Sequence, residues 1–285
     1  MQIQIRRARP EDAEELGRIC YEAFKTISEA HNFPPDLPSP EMAAEIISML
    51  SSHPGFFGVA ADLDGRLIGS NFLDERSPIG GIGPITIDPA WQDRSAGRQL
   101  MEAVLQRTRE KRLAGVRLVQ AAFHSRSLSL YAKLGFQVRE PLSCMQGPSI
   151  KASIARCSVR AATGADIPAC NRLCFAVHGY DRASELADDV KQGSAQVVER
   201  GGQITGYATE VGFFGHAVAA TNDDLKALIG AAEEFRGPGI LLPSRNGEML
   251  AWCLRHGLRI TQPMTLMTMG LYNEPAGAYL PSIIY

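Results

Sequence analysis

The chain has 285 residues, 45% hydrophobic and 21% charged, with 27 glycines, 17 prolines and six cysteines. Those proportions exclude a disordered, collagen-like or disulfide-stapled chain, and the length suits two domains, each large enough to bury a core. Lys and Arg number 29 against 31 Asp and Glu, a net charge of -2, so no global field draws the protein to nucleic acid or to an anionic membrane; any anion site is local.

In chain order, Gln2–Arg6 reads as a short strand, and Pro10 followed by acids reads as a helix start. Leu16, Ile19, Cys20, Ala23 and Phe24 recur at helical spacing and form one buried face. His31 to Pro40 holds four prolines and so predicts a stiff loop. A second helix follows, with Met42, Ile46, Met49 and Leu50 on its apolar side. Phe56–Asp62 and Arg66–Leu73 read as a hairpin, because Asp64-Gly65 supplies the positive φ its turn needs. Ile82–Ile87 is a third apolar run, but Pro84 cannot donate to a ladder, which predicts a bulge or an opening in the sheet. A loop of small residues then feeds a helix that buries Leu100, Met101, Val104 and Leu105. Arg117–Phe123, Ser127–Leu134 and Gln137–Met145 read as strand, helix and strand.

The opening residues mix charges without an apolar signal core, and no run of 18 apolar residues occurs, which points to a cytoplasmic protein. The six cysteines lie mostly in apolar runs. Cys170 and Cys174 are one helical turn apart, a spacing open to metal ligation, but without a second ligand pair two core thiols is the better reading, and no metal is expected.

The turn from Ile87 into the helix of Leu100 carries most of the chemistry. A loop of small residues opening a helix leaves several backbone N–H groups at the positive end of the helix dipole, an anion cradle, and Arg94 and Arg98 flank it. A plain strand-to-helix loop with exposed arginines is the alternative.

The segment Gln92-x-x-Ser95-x-Gly97, followed by His124 to Phe136 with Tyr131, Gly135 and Phe136 in place, resembles the acyl-CoA-dependent N-acetyltransferases of the GNAT superfamily over about residues 2 to 146. Serine stands here where the family's first glycine stands; it keeps its N–H but resists positive φ. His124 stands where the family has Asn. The resemblance implies acetyl-CoA as co-substrate, bound by Ile85, Thr86 and Ile87 on the bulged strand, by Gln92, Asp93, Arg94, Ser95, Ala96, Gly97 and Arg98 in the loop, and by His124. It implies Tyr131 as the acid that protonates the departing CoA thiolate, and a phenol of pKa about 10 suits a thiol near 8.5. His124 either replaces the Asn hydrogen bonds to the cofactor or caps the following helix. Because the family places acceptor contacts between its first two helices, His31, Phe33 and Asp36 are candidates for binding a primary amine; a surface or interdomain contact is the competing role for that loop. No base stands out: Asp74, Glu75 and Asp88 lie near strand ends, and a water chain would serve equally.

The second half repeats the first. Arg6 and Asp12 recur as Arg160 and Asp166, the hairpin Gly65–Gly69 recurs as Gly202–Gly206, and Leu118–Phe136 recurs as Ile240–Leu258. The shortened stretch before Leu225 carries Thr221, Asn222, Asp223 and Asp224, a helix cap whose carboxylates consume the amide donors and repel a diphosphate. Cys253 stands at the place of Tyr131.

The expectation is an α/β protein with mixed sheets, in tandem GNAT-like domains: 1–150 catalytic and 151–285 degenerate and non-catalytic. The activity expected is acetyl transfer from acetyl-CoA to a primary amine by direct attack in a ternary complex, with a catalytically silent acyl-CoA-binding sensor as the alternative. No nucleic-acid or membrane partner is expected. The second domain could close the acceptor cleft or form a subunit contact, as in a homodimer, and the apolar run Tyr279–Tyr285 docks on a surface the sequence does not identify.

Overall fold

In the computed structural model, which describes residues 2–284, the chain opens with strand β1 (Ile3–Arg7) and a 3-10 turn at Pro10–Asp12 that leads into helix α1 (Ala13–Ala30). Two compact units are present. The first comprises residues up to Leu118 with Phe123–Phe136 and Ile284; the second comprises Val119–Ala122 and Gln137–Ile283.

In the first unit, α1 buries Leu16, Ile19 and Cys20, and half-buries Ala23 and Phe24. Helix α2 (Pro40–Ser52) starts at the last proline of the stiff loop, with the Ser39 hydroxyl accepting the Met42 amide at 3.3 Å. Its buried face is Ala43, Ile47 and Leu50. Met42 and Met49, expected inside, are 42% and 47% exposed. The reason is the close approach of α1: a Cβ on Gly17 would lie 2.4 Å from Ala44 Cα, so the small-residue face of α2 turns inward and the methionines turn out.

Strands β2 (Phe56–Leu63) and β3 (Arg66–Asp74) form the expected hairpin, with Asp64 and Gly65 at positive φ. The run after them is split in two. β4 (Ile79–Ile82) pairs with the end of β3, whereas β5 (Thr86–Ile87) pairs with β3 at Gly69 and Ser70. Helix α3 (Ala96–Lys111) buries Leu100, Met101, Val104 and Leu105, the four residues its period predicts. β6 (Gly115–Ala121) lies parallel to β4, at Ile79–Gly115 through Gly81–Arg117, and α4 (Ser125–Lys133) follows. The sheet order in this unit is β1-β2-β3-β4-β6, and β5 pairs only β3. The sheet therefore opens beside β5.

In the second unit β7 (Gln137–Gln146) is followed by β8 (Ser158–Ala161), α5 (Ile167–His178), α6 (Ala183–Gln192), β9 (Gln196–Arg200), β10 (Gln203–Ala208) and β11 (Ala217–Ala219). Helix α7 (Asn222–Ala231), β12 (Ile240–Pro243), α8 (Gly247–Arg255), β13 (Arg259–Gly270) and β14 (Ala278–Leu280) complete it. β7 lies between β13 and β12, and a separate five-stranded sheet runs β14-β11-β10-β9-β8. Cys170 and Cys174 sit in its core beside Val197, Tyr207 and Val218.

The duplication is visible in matching hydrogen bonds. The Arg6 guanidinium donates to both Asp12 oxygens at 2.7 and 2.8 Å, and Arg160 donates to both Asp166 oxygens at 2.8 Å. The amides of Arg9 and Thr163 each donate to that carboxylate at 2.8 Å. After α4 the Phe136 amide donates to the Tyr131 carbonyl at 3.0 Å; after α8 the Leu258 amide donates to that of Cys253 at 3.1 Å.

Candidate active site in the first unit

Two features of the sequence create an opening and an anion cradle side by side. Pro84 interrupts the ladder after Gly83, whose amide still donates to the Phe72 carbonyl at 3.0 Å, and β5 beyond it is bonded along one edge only. From β5 the chain passes Asp88, whose carboxylate accepts the Ala90 amide at 2.9 Å, and a 3-10 turn at Pro89–Trp91, and then reaches α3.

Ser95 precedes α3 in the left-handed region at φ 63°, with Asp93 at φ 65°. The serine therefore adopts the backbone that glycine favours, despite the resistance expected of it. Its side chain makes no capping bond, so the first turn of α3, Ala96, Gly97 and Arg98, lacks that acceptor for its amides. The loop is pinned from its flanks: the Gln92 amide donates to the Ile87 carbonyl at 3.3 Å, Arg94 stacks 4.7 Å from the Trp91 ring centre, and Asp93 pairs with Arg126 of α4 at 2.7 Å. Arg98 lies one turn into the helix, 3.6 Å from Glu102.

The loop after α1 folds onto Phe123, two residues beyond β6. Phe33 stacks on Phe123, with centroids 4.3 Å apart and planes 11° apart, and the His31 ring lies 5.2 Å from Phe123. Asp36 sits at the far end of the same loop, where it and Thr86 of β5 both act on the buried Cys20 thiol, which burial pushes up to about 12.

Tyr131 is buried in α4. Burial pushes its phenol up to about 12, and the nearby Ser127 hydroxyl draws it partway back. The Ser127 hydroxyl also lies 2.6 Å from His124 Nδ1. Burial lowers the His124 pKa to about 4, with Arg126 and His31 adding to the effect, so the imidazole is neutral at pH 7. His124 holds the N-cap position but makes no capping bond; of its two expected roles, capping is not the one seen. Ser127, Phe123 and Arg126 were not singled out from sequence. The spacing 124, 127 and 131, one helical face, was the signal for Ser127.

The candidate bases are committed elsewhere. Asp74 pairs with Arg76 at 2.6 Å and Asp88 lies 3.5 Å from Arg66 and 3.7 Å from Arg18. Burial raises the Glu75 carboxyl, but Arg107 and Lys111 outweigh it and hold the group below its usual range.

The matching places in the second unit differ. Thr221 and Asp224 close the N-terminus of α7 as a capping box: the Thr221 amide and hydroxyl donate to Asp224 at 3.1 and 2.6 Å, and Arg200 and Thr205 add bonds at 3.0 and 2.6 Å. Of the terminal apolar run, Tyr279 and Leu280 lie in β14, which pairs along β11 at Ala217–Leu280 through Ala219–Ala278, so the edge of β11 is covered; Tyr285 lies outside the described residues. Arg245 and Asn246 occupy the places of Phe123 and His124; Arg245 pairs with Glu140, and Asn246 accepts the Met249 amide at 3.3 Å. The Cys253 thiol is buried and pushed up to about 12 by desolvation.

Among the described residues no helix is long and apolar enough to cross a membrane. Residues 21–136 match the acetyltransferase (GNAT) family model. The chain is 43% identical over 63 residues to the mycothiol acetyltransferase of Nocardia farcinica, a match that spans 22% of this chain and 21% of that protein. The crystal structure of a Pyrococcus horikoshii protein assigned to the acetyltransferases aligns with a TM-score of 0.72 at 18% identity, covering 99% of this chain and 92% of that one. A tandem GNAT protein of the clavulanic acid biosynthesis pathway aligns with a TM-score of 0.57 at 13% identity, covering 94% and 98%. At those identities the likeness is one of fold.

Proposed function

We propose that this chain, whose residues 21–136 match the GNAT acetyltransferase family model, transfers the acetyl group of acetyl-CoA to a primary amine, and that residues 1–150 form the catalytic domain and 151–285 a non-catalytic partner domain. The observation that carries the assignment is the contrast between two copies of one fold. The first copy has an uncapped α3, a β5 free along one edge and a buried phenol; the second has a capping box, a covered β11 and a thiol.

The residues present fit the co-substrate. The diphosphate of CoA would rest on the amides of Ala96, Gly97 and Arg98, where converging N–H groups and the helix dipole favour an anion, with Arg98 adding charge at the rim. The pantetheine arm would run along the free edge of β5, which offers backbone donors and acceptors at Ile85–Ile87. The acceptor would enter beneath the loop of His31, Phe33 and Asp36, where an aromatic pair and a carboxylate suit a cationic amine. Its neutral nitrogen would attack the thioester carbon, the C–N bond forming as the C–S bond breaks; the nitrogen would shed one proton to water, and Tyr131 would give its proton to the sulfur and regain one from water.

The test is thiol release from acetyl-CoA across a panel of primary amines, with calorimetry of CoA binding beside it. Tyr131→Phe keeps CoA affinity and loses turnover. Equal turnover in wild type and variant removes the acid role from Tyr131, and no turnover with any amine together with no heat of CoA binding refutes the whole reading.

A further inference from the structure

The arginines around the turn at Ser95 differ in what holds them. Arg94 lies on the Trp91 ring, 4.7 Å from its centre, and Arg98 lies 3.6 Å from Glu102, one turn along its own helix. Arg126 instead reaches the loop from α4, where its Nη2 donates to Asp93 Oδ1 at 2.7 Å. The two elements meet again one turn further on, since a Cβ on Gly97 would lie 3.6 Å from Leu130 Cδ2. The start of α3 thus lies beside α4. Stepping back one turn from Gly97 and from Leu130 leads to Asp93 and Arg126, so the guanidinium sits at the loop ahead of Ala96, the first residue of α3.

We propose that Asp93 is a built-in competitor for the diphosphate of CoA: its carboxylate holds Arg126 in the free protein, and the nucleotide binds by replacing that carboxylate on the guanidinium. The inference rests on the acetyltransferase reading above and adds to it a binding residue, Arg126, and the group that restrains it. The side chains of Arg126 and Asp93 are 56% and 81% exposed, and an ion pair so open to water contributes little, so it yields to a stronger anion. A diphosphate is such an anion, because a guanidinium can give two parallel N–H bonds to its oxygens and it carries more charge than one carboxylate. Asp93 can let go without disturbing the core, since most of its side chain already faces water.

The second unit supplies an independent contrast. The match of Leu118–Phe136 to Ile240–Leu258 puts Glu248 at the place of Arg126, and each is the second residue of its helix. Glu248 also docks on the neighbouring helix: its carboxylate accepts the Asn222 side-chain amide at 2.7 Å and the Lys226 ammonium at 2.6 Å, both from α7. The copy whose helix is closed by the capping box of Thr221 and Asp224 therefore turns an acid toward that helix, and the copy whose helix has no side-chain cap turns a base toward it. A contact that only joins two helices works with either sign once its partner is changed to match. The sign that attracts phosphate occurs in the copy whose first-turn amides have no carboxylate on them.

The experiment is calorimetric titration of the full chain with CoA and with dephospho-CoA, which lacks the ribose phosphate but keeps the diphosphate. Wild type, Asp93→Asn, Arg126→Gln and the double variant are compared. Asp93→Asn is expected to bind CoA about two- to fivefold more tightly, and Arg126→Gln to bind both nucleotides about tenfold or more weakly. The double variant is expected to match Arg126→Gln, because Asp93 acts through Arg126. Weaker binding in Asp93→Asn would mean that the pair only holds the loop in shape, and a gain that persists in the double variant would mean plain repulsion by the carboxylate; either overturns the exchange. Unchanged CoA affinity in Arg126→Gln overturns it too, as does a loss seen with CoA but not with dephospho-CoA, which puts the guanidinium on the ribose phosphate. In each of these cases wild type still binds CoA and the acetyltransferase reading stands. Wild type that binds neither nucleotide overturns both.

Discussion

Gly97 allows the fold and the ligand to be separated at one position. It is the second residue of α3 and has ordinary helical φ. A methyl placed there would meet only Leu130 Cδ2 at 3.6 Å and Ile87 Cγ1 at 3.9 Å, both ordinary contacts. Gly97→Ala therefore fits, and alanine's helix preference stabilises the protein by up to about 0.5–1 kcal/mol. The Cβ of a helical residue leans toward the N-terminus, into the space where a diphosphate would meet the amides. A charge-assisted hydrogen bond pushed out of reach costs about 1.5–3 kcal/mol, roughly a 10- to 150-fold loss in CoA affinity. Denaturant unfolding and calorimetric titration with CoA measure the two effects on one sample. Raised stability with unchanged CoA affinity would show that the phosphates do not approach this turn, and lowered stability would show that the contacts around Gly97 are tighter than described.

Ser95→Gly should stabilise the free protein by about 0.5–1 kcal/mol, since a left-handed residue other than glycine costs roughly 1–2 kcal/mol and glycine's own entropy returns part of it. CoA affinity should change less than twofold, because the substitution keeps the backbone amide of position 95 and the left-handed conformation of the loop; a several-fold gain in affinity without a stability change contradicts this. Gly17→Ala should destabilise by about 1–3 kcal/mol, the cost of overpacking, because its Cβ would meet backbone of Ala44 at 2.4 and 2.5 Å; a urea midpoint equal to wild type contradicts the helix contact described. Asp12 and Asp166 are held below the usual carboxylate range by hydrogen bonds from Arg6 and Arg160. A depressed folded pKa gives stability that is present above the unfolded value near 3.8 and lost as pH falls through the folded value. The double variant Asp12→Asn/Asp166→Asn should thus be less stable than wild type at pH 7 and nearly equal to it at low pH, and a constant difference across that range contradicts the pairing.

Periodicity carried the long amphipathic elements: Leu100, Met101, Val104 and Leu105 share a stripe that only a helix of that phase can bury, and all four are buried. Duplication was legible for a related reason, since Arg6 with Asp12 and Arg160 with Asp166 perform one local task twice. The face of α2 was not legible. Hydrophobicity favoured Met42 and Met49, while the outcome depended on Gly17 admitting the small-residue side of the helix, a tertiary fact. Pro84 announced an interruption, but not that β4 would turn to β6 while β5 stayed on β3. Likewise the apolarity of Tyr279 and Leu280 foretold docking, and only the register on β11 shows where. In the candidate site, the family motif drew attention to His124 and Tyr131. Ser127 carries no motif and gains meaning from the 2.6 Å approach to His124.

The most direct test is a crystal structure of the protein grown with CoA. The expected density places one nucleotide per chain, its diphosphate against the amides of Ala96, Gly97 and Arg98 and its pantetheine arm along Ile85–Ile87, with the sulfur beside Tyr131. Density at the N-terminus of α7, or CoA bound elsewhere while the turn at Ser95 stays bare, would contradict the assignment of catalysis to the first domain.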